Sequence, residues 1–129
     1  MDKKILIVDD EPHIRMLLEQ TLEELEDEGV ALLMAKDGQE ALDAIQDENP
    51  DLVFLDVMMP KVNGFDVCSR VKQDLNINNV YIIMLTAKGQ EFDKQKGQEV
   101  GADLYMTKPF DPDEVVEKAM EVLGLESVA

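Results

Sequence analysis

Five side chains that could act together on a phosphate group stand at or just beyond the ends of short apolar runs. They are Asp9, Asp10, Asp56, Thr86 and Lys108. Three carboxylates crowded together repel one another and are partly protonated unless a cation joins them. Oxygen ligands without cysteine or histidine favour a hard divalent ion, Mg²⁺ or Mn²⁺. If the fold gathers the three acids, the sequence therefore predicts a divalent-cation site.

The same groups have the chemistry for phosphoryl transfer. A carboxylate can act as a nucleophile toward phosphorus and then carry an aspartyl-phosphate. Negative charge develops on three phosphoryl oxygens during transfer. The site therefore needs a metal ion on one oxygen, an ammonium on another, and a hydroxyl or N–H donor on the third. Lys108 and Thr86 supply the ammonium and the hydroxyl.

Five apolar runs are predicted to be the strands that position these groups. They cover residues 5–8, 30–34, 52–55, 80–85 and 104–106. The first, third and fourth are continuous and rich in branched residues, as in strands buried on both faces. Helix-period segments alternate with them, which predicts parallel strands, right-handed crossovers and helices on both faces. In such open sheets, sites form beyond the carboxyl ends of the strands.

Most of the intervening helices have clear start signals. Pro12 opens the first, Asp37 caps the second with Glu40 completing a capping box, Asn63 caps the third, and Asp111 caps the last. Residues 90–100 contain few apolar side chains and one internal glycine, which predicts a helix of low local stability. Four methionines fall on inward positions and are predicted to pack in the core: Met16, Met34, Met84 and Met120.

Composition restricts the class of protein further. The 129 residues carry a formal net charge of −17, which argues against direct nucleic-acid binding, and 45% are hydrophobic, which predicts one folded domain. Cys68 is the only cysteine, so neither an internal disulfide nor a thiolate zinc cage can form. The longest apolar stretch, 80–85, is too short to cross a bilayer. These features predict a soluble cytoplasmic domain without membrane insertion.

The motifs at the strand ends resemble the response regulator receiver domain of two-component signalling. They are Asp9-Asp10, Val53-Phe54-Leu55-Asp56-Val57-Met58-Met59-Pro60 with Asn63-Gly64, Thr86-Ala87, and Gly101-Ala102-Asp103 leading to Lys108-Pro109-Phe110. The resemblance covers residues 3 to about 124. It implies an α/β flavodoxin-like (βα)5 three-layer sandwich with a five-stranded parallel sheet in the order 2-1-3-4-5. Residues 1–124 would form the receiver domain and 125–129 a short C-terminal tail.

The resemblance also implies a role for each residue of the acidic site. Asp56 matches the phospho-acceptor. Asp10 and Asp56 match the carboxylates bound directly to Mg²⁺, with Mn²⁺ as a possible substitute, whereas Asp9 matches the one that acts largely through water. Met58 occupies the position whose backbone carbonyl is a metal ligand.

The remaining roles concern phosphoryl binding and the response to it. Lys108 resembles the phosphoryl-binding lysine, and its bond to Pro109 resembles a cis peptide of the family. Thr86 resembles the switch hydroxyl. Tyr105 resembles the aromatic residue whose exposure changes when that hydroxyl moves, although an edge tyrosine of this kind also needs no function.

The favoured function is a phosphorylation-controlled switch, not a turnover enzyme. A sensor histidine kinase or histidine phosphotransfer protein would phosphorylate Asp56, and the face formed by residues 90–100, the last strand and the last helix would change conformation. One alternative is an aspartyl-nucleophile phosphohydrolase resembling haloacid dehalogenases, but Met58 stands where those enzymes place a second aspartate. The other is a phosphorylation-independent docking domain.

The sequence leaves the output partner open. It predicts a monomer or a weak phosphorylation-dependent dimer. The short stretch after the last helix slightly favours a free-standing messenger or phosphorelay shuttle over a receiver within a longer regulator.

Overall fold

Five parallel strands form one sheet in a computed structural model, which describes residues 3–59, 62–87, 99–108 and 110–125. The strands are β1 (Lys3–Val8), β2 (Val30–Ala35), β3 (Leu52–Asp56), β4 (Tyr81–Ala87) and β5 (Leu104–Lys108). They lie in the order 2-1-3-4-5, which confirms the flavodoxin-like arrangement. The pairing places β1 and β3 at the centre, so their side chains are covered on both faces.

Helices cover both faces of this sheet. They are α1 (Pro12–Leu22), continued by a 3-10 helix (Glu23–Glu28), α2 (Gly38–Glu48), α3 (Gly64–Ser69), continued by a π-helical turn (Arg70–Asp74), and α4 (Pro112–Leu123). Of the helix predicted across 90–100, only the last two residues are described, and they are helical. The predicted low stability of that segment therefore lies outside the described residues. Among the described helices, none has the length and apolar character needed to span a lipid bilayer.

Two apolar layers hold the sandwich together. Leu6 and Val8 of β1 face the layer beneath α2 and α3, whereas Ile5 and Ile7 face the layer beneath α1 and α4. All four side chains are fully buried. Such alternation toward two hydrophobic layers is why the central strands appear as continuous apolar runs in the sequence.

The predicted helix starts are present, with one difference. Asp37, Asn63 and Asp111 each accept a hydrogen bond from a backbone N–H of the first turn. The Glu40 side chain, however, accepts from the N–H of Lys36 at 3.1 Å instead of from that of Asp37. The Glu40 carboxylate therefore bonds to the residue that directly follows β2 and precedes the N-cap Asp37.

The prediction that four methionines pack inward is wrong for two of them. Met84 is fully buried and Met120 is half-buried, but Met16 is 56% exposed and Met34 is 47% exposed. Met16 lies beside the buried stripe of α1, which is centred on Leu18 and Leu22. Met34 lies near the end of β2, an edge strand with one neighbouring strand and only two buried residues.

Lys72 links the π-helical turn to the start of β4 and to the loop before β5. Its Nζ donates to the carbonyl of Val80 at 2.6 Å and pairs with Asp103 at 3.2 Å. The Asp103 carboxylate also accepts from the N–H of Ile82 at 2.8 Å. One ammonium therefore ties three segments together in a largely buried position.

Lys72→Met is expected to lower the free energy of unfolding by about 1–2 kcal/mol, because it leaves a carbonyl and a carboxylate without their cation. Lys36→Met is the matched control, because the pair that the described residues give the Lys36 ammonium is an exposed one with Glu40 at 3.7 Å. This substitution should cost about 0.5 kcal/mol or less. Urea denaturation measures both. Equal losses in the two variants would show that the Lys72 contacts do not stabilise the fold.

Candidate functional site

The sheet register brings the predicted site residues to one rim. β3 ends at Asp56, which lies opposite Leu85 of β4, and Thr86 lies opposite Thr107 of β5. Lys108 ends β5, and Asp9 directly follows β1. Parallel strands all have their carboxyl ends at the same edge of the sheet. Residues that are far apart in the sequence therefore come together there in a single cluster.

Three carboxylates of this rim are close enough to share a cation. Asp9, Asp10 and Asp56 each offer an oxygen, and these atoms all lie within 4.8 Å of one another. Asp9 is fully buried and Asp56 is 5% exposed, whereas Asp10 is open to solvent. An all-oxygen donor set that carries several negative charges and has one open side fits a hard divalent cation.

Lys108 contacts two of these carboxylates. Its Nζ lies 2.7 Å from Asp9 Oδ2 and 3.2 Å from Asp56 Oδ1. Burial acts to lower the pKa of Lys108. The hydrogen bond to Asp9 and the negative charge of Asp56 outweigh that effect, so the pKa lies above its ordinary value. The side chain therefore stays a cation, within reach of any group attached to Asp56.

Asp56 has a strongly perturbed acidity in the absence of a metal ion. Burial, and next the negative charge of Asp9, raise the pKa of its carboxyl to about 7, against the lowering effect of Lys108. The protein alone therefore does not fully balance the negative charge of the ionised Asp56. A divalent cation favours the ionised form, which is the form that can act as a nucleophile.

Asp9 is held more firmly than the sequence suggested. Its Oδ1 accepts from the N–H of Glu11 at 2.9 Å, while its Oδ2 is paired with Lys108. The Asp9 carbonyl accepts from Arg15 Nη1 at 2.6 Å. Sequence analysis gave Arg15 no role. The available signal was a cation in the first turn of a helix, where the helix dipole disfavours positive charge.

The other predicted residues lie around this cluster. The Thr86 hydroxyl is buried and donates to the carbonyl of Met106 on β5 at 3.4 Å. Met58 has a 60% exposed side chain, and its N–H lies 3.4 Å from Asp56 Oδ1. Tyr105 lies on β5 and is 37% exposed. Pro109 lies outside the described residues, and so does the cis peptide predicted at Lys108-Pro109.

Gly64 lets the start of α3 pack close to the site. A Cβ added to Gly64 would lie 2.5 Å from the Asp56 carbonyl and 2.9 Å from the Val57 Cα, both backbone atoms. The Gly64 N–H also donates to the Val57 carbonyl at 2.9 Å. The start of α3 therefore packs directly against the backbone that carries Asp56.

Gly64→Ala is expected to destabilise the fold by about 1–3 kcal/mol and to slow phosphorylation of Asp56 by about tenfold, because the backbone must shift to make room. Gly29→Ala is the control, because Gly29 has a positive φ of 86° but no atom of the described residues lies within 4 Å of the added Cβ. It should lose stability without slowing phosphorylation. Urea denaturation and initial rates from intact mass test both, and a Gly64→Ala rate equal to that of wild type would contradict the steric argument.

Comparisons with known proteins agree with this geometry. A family model described as the response regulator receiver domain matches residues 5–120. A putative response regulator from Chloroflexus aurantiacus has 35% identity and a TM-score of 0.84, with 96% of this chain and 99% of that one covered. The chemotaxis protein CheY4 of Vibrio cholerae has 34% identity and a TM-score of 0.81, with 95% and 99% covered. The chain belongs to the response regulator receiver family, which acts in two-component signalling as phosphorylation-controlled switches.

Two similar relatives are bacterial regulators of greater length. The alkaline phosphatase synthesis transcriptional regulatory protein PhoP of Bacillus subtilis is 47% identical over 129 residues, which is all of this chain and 52% of that protein. The phosphate regulon transcriptional regulatory protein PhoB of Pseudomonas aeruginosa is 46% identical over 121 residues, which is 94% of this chain and 52% of that protein. The chain thus spans about half the length of these curated relatives. The predicted family is confirmed, and the hydrolase alternative is not favoured.

Proposed function

We propose that Asp56 accepts a phosphoryl group from a phosphohistidine of a sensor kinase or histidine phosphotransfer protein, with Mg²⁺ at the site. The observation that carries the proposal is the position of Asp56. Lys108 contacts its carboxylate at 3.2 Å, and that carboxylate shares a 4.8 Å cluster with two further acids. Asp56 also keeps 5% exposure, whereas Asp9 is fully buried and has both carboxylate oxygens hydrogen-bonded. Mn²⁺ has the same ligand preference and is a suitable substitute.

The residues divide the work of transfer. Asp10 and Asp56 would bind Mg²⁺ directly, Asp9 through water, and Met58 through its backbone carbonyl. When bound, the ion supplies positive charge to the carboxylates and to the phosphoryl oxygens. An Asp56 oxygen forms a bond to phosphorus while the bond from phosphorus to the histidine nitrogen breaks, and that nitrogen keeps the electron pair. Lys108 neutralises a phosphoryl oxygen as the charge moves onto Asp56.

The switch would begin at Thr86. Its hydroxyl now makes a long hydrogen bond to Met106, which a charged phosphoryl oxygen on Asp56 can outcompete. Movement of Thr86 toward Asp56 would open space for Tyr105 on the neighbouring strand. The face formed by residues 90–100, β5 and α4 would then change its conformation and its affinity for an output partner.

A switch is favoured over a turnover enzyme by the residue two positions after Asp56. Met58 offers no acid or base there, and its side chain is largely exposed.

PhoP and PhoB are named as transcriptional regulatory proteins, which supports transcription as the output. In that case a separate effector region, and not this acidic domain, would contact DNA. We assign residues 1–124 to the receiver domain and residues 125–129 to a short C-terminal tail. The domain would act in the cytoplasm, as a monomer or as a weak phosphorylation-dependent dimer.

Intact mass after incubation with Mg²⁺ and a phosphoryl donor tests the proposal. Phosphoramidate provides a phosphorus–nitrogen bond like that of phosphohistidine, and acetyl phosphate serves as the second donor. Wild type and the control Asp74→Asn, which changes an exposed acid of the π-helical turn, should each gain one phosphoryl group. Asp56→Asn should gain none. A phosphorylated Asp56→Asn protein would overturn the proposal, and an unmodified wild type that consumes donor over many turnovers would favour the hydrolase.

A further inference from the structure

We propose that Arg15 is a positioning residue of the cation site. Its guanidinium fixes the peptide between Asp9 and Asp10, and it thereby sets the affinity of the site for a divalent cation. This inference rests on the proposed function, because it concerns the same carboxylate cluster. It adds a residue that makes no contact with phosphate and that acts through the backbone of two ligands.

The contact itself is short and lies where the sheet ends. The Asp9 N–H donates to the Ala35 carbonyl at 3.3 Å, as the last link from β1 to β2. The Asp9 carbonyl has left the ladder, and Arg15 Nη1 donates to it at 2.6 Å. Because Asp9 is fully buried, its carbonyl needs a partner from the protein. The half-buried Arg15 side chain, at the fourth residue of α1, provides that partner.

The geometry makes Asp10 the residue most dependent on Arg15. The Asp9 carbonyl and the Asp10 nitrogen belong to one planar peptide unit, so fixing the oxygen fixes the direction in which Asp10 leaves the strand. The Asp9 carboxylate has its own anchors in Lys108 and the Glu11 N–H. Asp10 is exposed, and its side chain has a hydrogen bond to Asp56 but, among the described residues, no cation partner like that of Asp9, so its placement depends more on the backbone. Loss of Arg15 should therefore displace Asp10 more than Asp9.

Helix stability does not explain a cation at this position. α1 has no acidic residue in its first turn and no side-chain cap from Glu11. A positive charge in that turn opposes the helix dipole. An arginine here disfavours the isolated helix, yet its fork-shaped donor group is suited to a carbonyl beside a crowded acidic site. The presence of an arginine at position 15 is instead explained by its hydrogen bond to the Asp9 carbonyl, which fixes the turn between β1 and α1.

The test compares Mg²⁺ affinity in Arg15→Gln, Arg15→Lys and the control Arg70→Gln. Arg70 is an exposed guanidinium of the π-helical turn on the other face of the sheet. Calorimetric titration of the full chain with Mg²⁺, without a phosphoryl donor, should show about tenfold weaker binding for Arg15→Gln, as is typical when an outer-shell partner is lost. Arg15→Lys should recover part of that loss, and Arg70→Gln should match wild type.

Two further readouts separate positioning from general stability. The Asp10 amide resonance of the metal-free protein should shift more in Arg15→Gln than the Ala35 resonance does, and saturating Mg²⁺ should restore the phosphorylation rate. Mg²⁺ affinity of Arg15→Gln within twofold of Arg70→Gln would overturn the inference. If Arg15→Gln does not fold, Arg15→Met takes its place, and Mg²⁺ affinity of Arg15→Met within twofold of Arg70→Gln would overturn the inference equally. If wild type binds Mg²⁺ but accepts no phosphoryl group, the proposed function is wrong, whereas the comparison of Mg²⁺ affinities among the Arg15 and Arg70 variants still tests the role of Arg15.

Discussion

Lys108→Met is expected to slow phosphorylation of Asp56 by about 10²- to 10³-fold at saturating Mg²⁺, because the ammonium that reaches the acceptor carboxylate is lost. Methionine keeps most of the side-chain length and removes only the charge and the donors. Initial rates from intact mass with acetyl phosphate measure the effect. Lys118→Met is the control, since Lys118 pairs with the exposed Glu121 at 3.1 Å and lies on α4.

The same variant should also weaken the metal-free fold. Removing Lys108 leaves Asp9 fully buried without its cation, and breaking a buried pair in this way typically costs about 3 kcal/mol. Lys118→Met should cost about 0.5 kcal/mol or less. A Lys108→Met protein that is phosphorylated at a rate within tenfold of wild type would contradict the role given to Lys108. Normal stability would contradict the importance of its contact with Asp9.

Asp56→Asn is expected to stabilise the metal-free protein above neutral pH. The pKa of Asp56 is about 7 in the folded chain, against a usual value of 3.8. Between these values the unfolded chain has lost the proton that the folded chain retains. The free energy of unfolding of wild type therefore falls as pH rises from about 4 to about 7. Above that range the loss of stability has reached its full size. Asparagine carries no charge and escapes this cost.

Urea denaturation at a series of pH values measures the difference. At pH 8 the variant should be more stable by about 2 kcal/mol, after allowance for screening of a partly solvated site, and near pH 4 the two proteins should be equal. Mg²⁺ should stabilise wild type more than the variant and so narrow the gap. Asp74→Asn is the control, because it keeps Asp56 and its stability should fall with rising pH as that of wild type does. A variant less stable than wild type at pH 8 would refute the electrostatic account of the cluster.

The sequence was informative where chain-local patterns determine structure. Asp56 ends a continuous apolar run, and the rule that parallel strands end together was sufficient to predict its proximity to Asp9 and Lys108. The cap residues were predictable for the same reason, since Asp37 and Asn63 bond within their own first turns. The order of the strands came from the family resemblance, because periodicity does not specify which strands are neighbours.

The features that sequence analysis missed depend on tertiary placement. Arg15 is only six residues from Asp9, but its contact with the Asp9 carbonyl depends on the direction in which α1 leaves β1, which no spacing rule encodes. The exposure of Met34 follows from the edge position of β2, and that of Met16 from its place beside the buried stripe of α1. The burial of Asp9, and hence its effect on the pKa of Asp56, likewise requires the packed rim.

Chemical mapping of the phosphoryl group tests the central claim most directly. Wild type phosphorylated with acetyl phosphate and Mg²⁺ would be treated with borohydride, which reduces an aspartyl-phosphate to homoserine, and then digested and sequenced by tandem mass spectrometry. The account predicts homoserine at position 56 and unmodified aspartate at positions 9 and 10. Homoserine at position 9 or 10, or a phosphoryl group retained on His13, would contradict it.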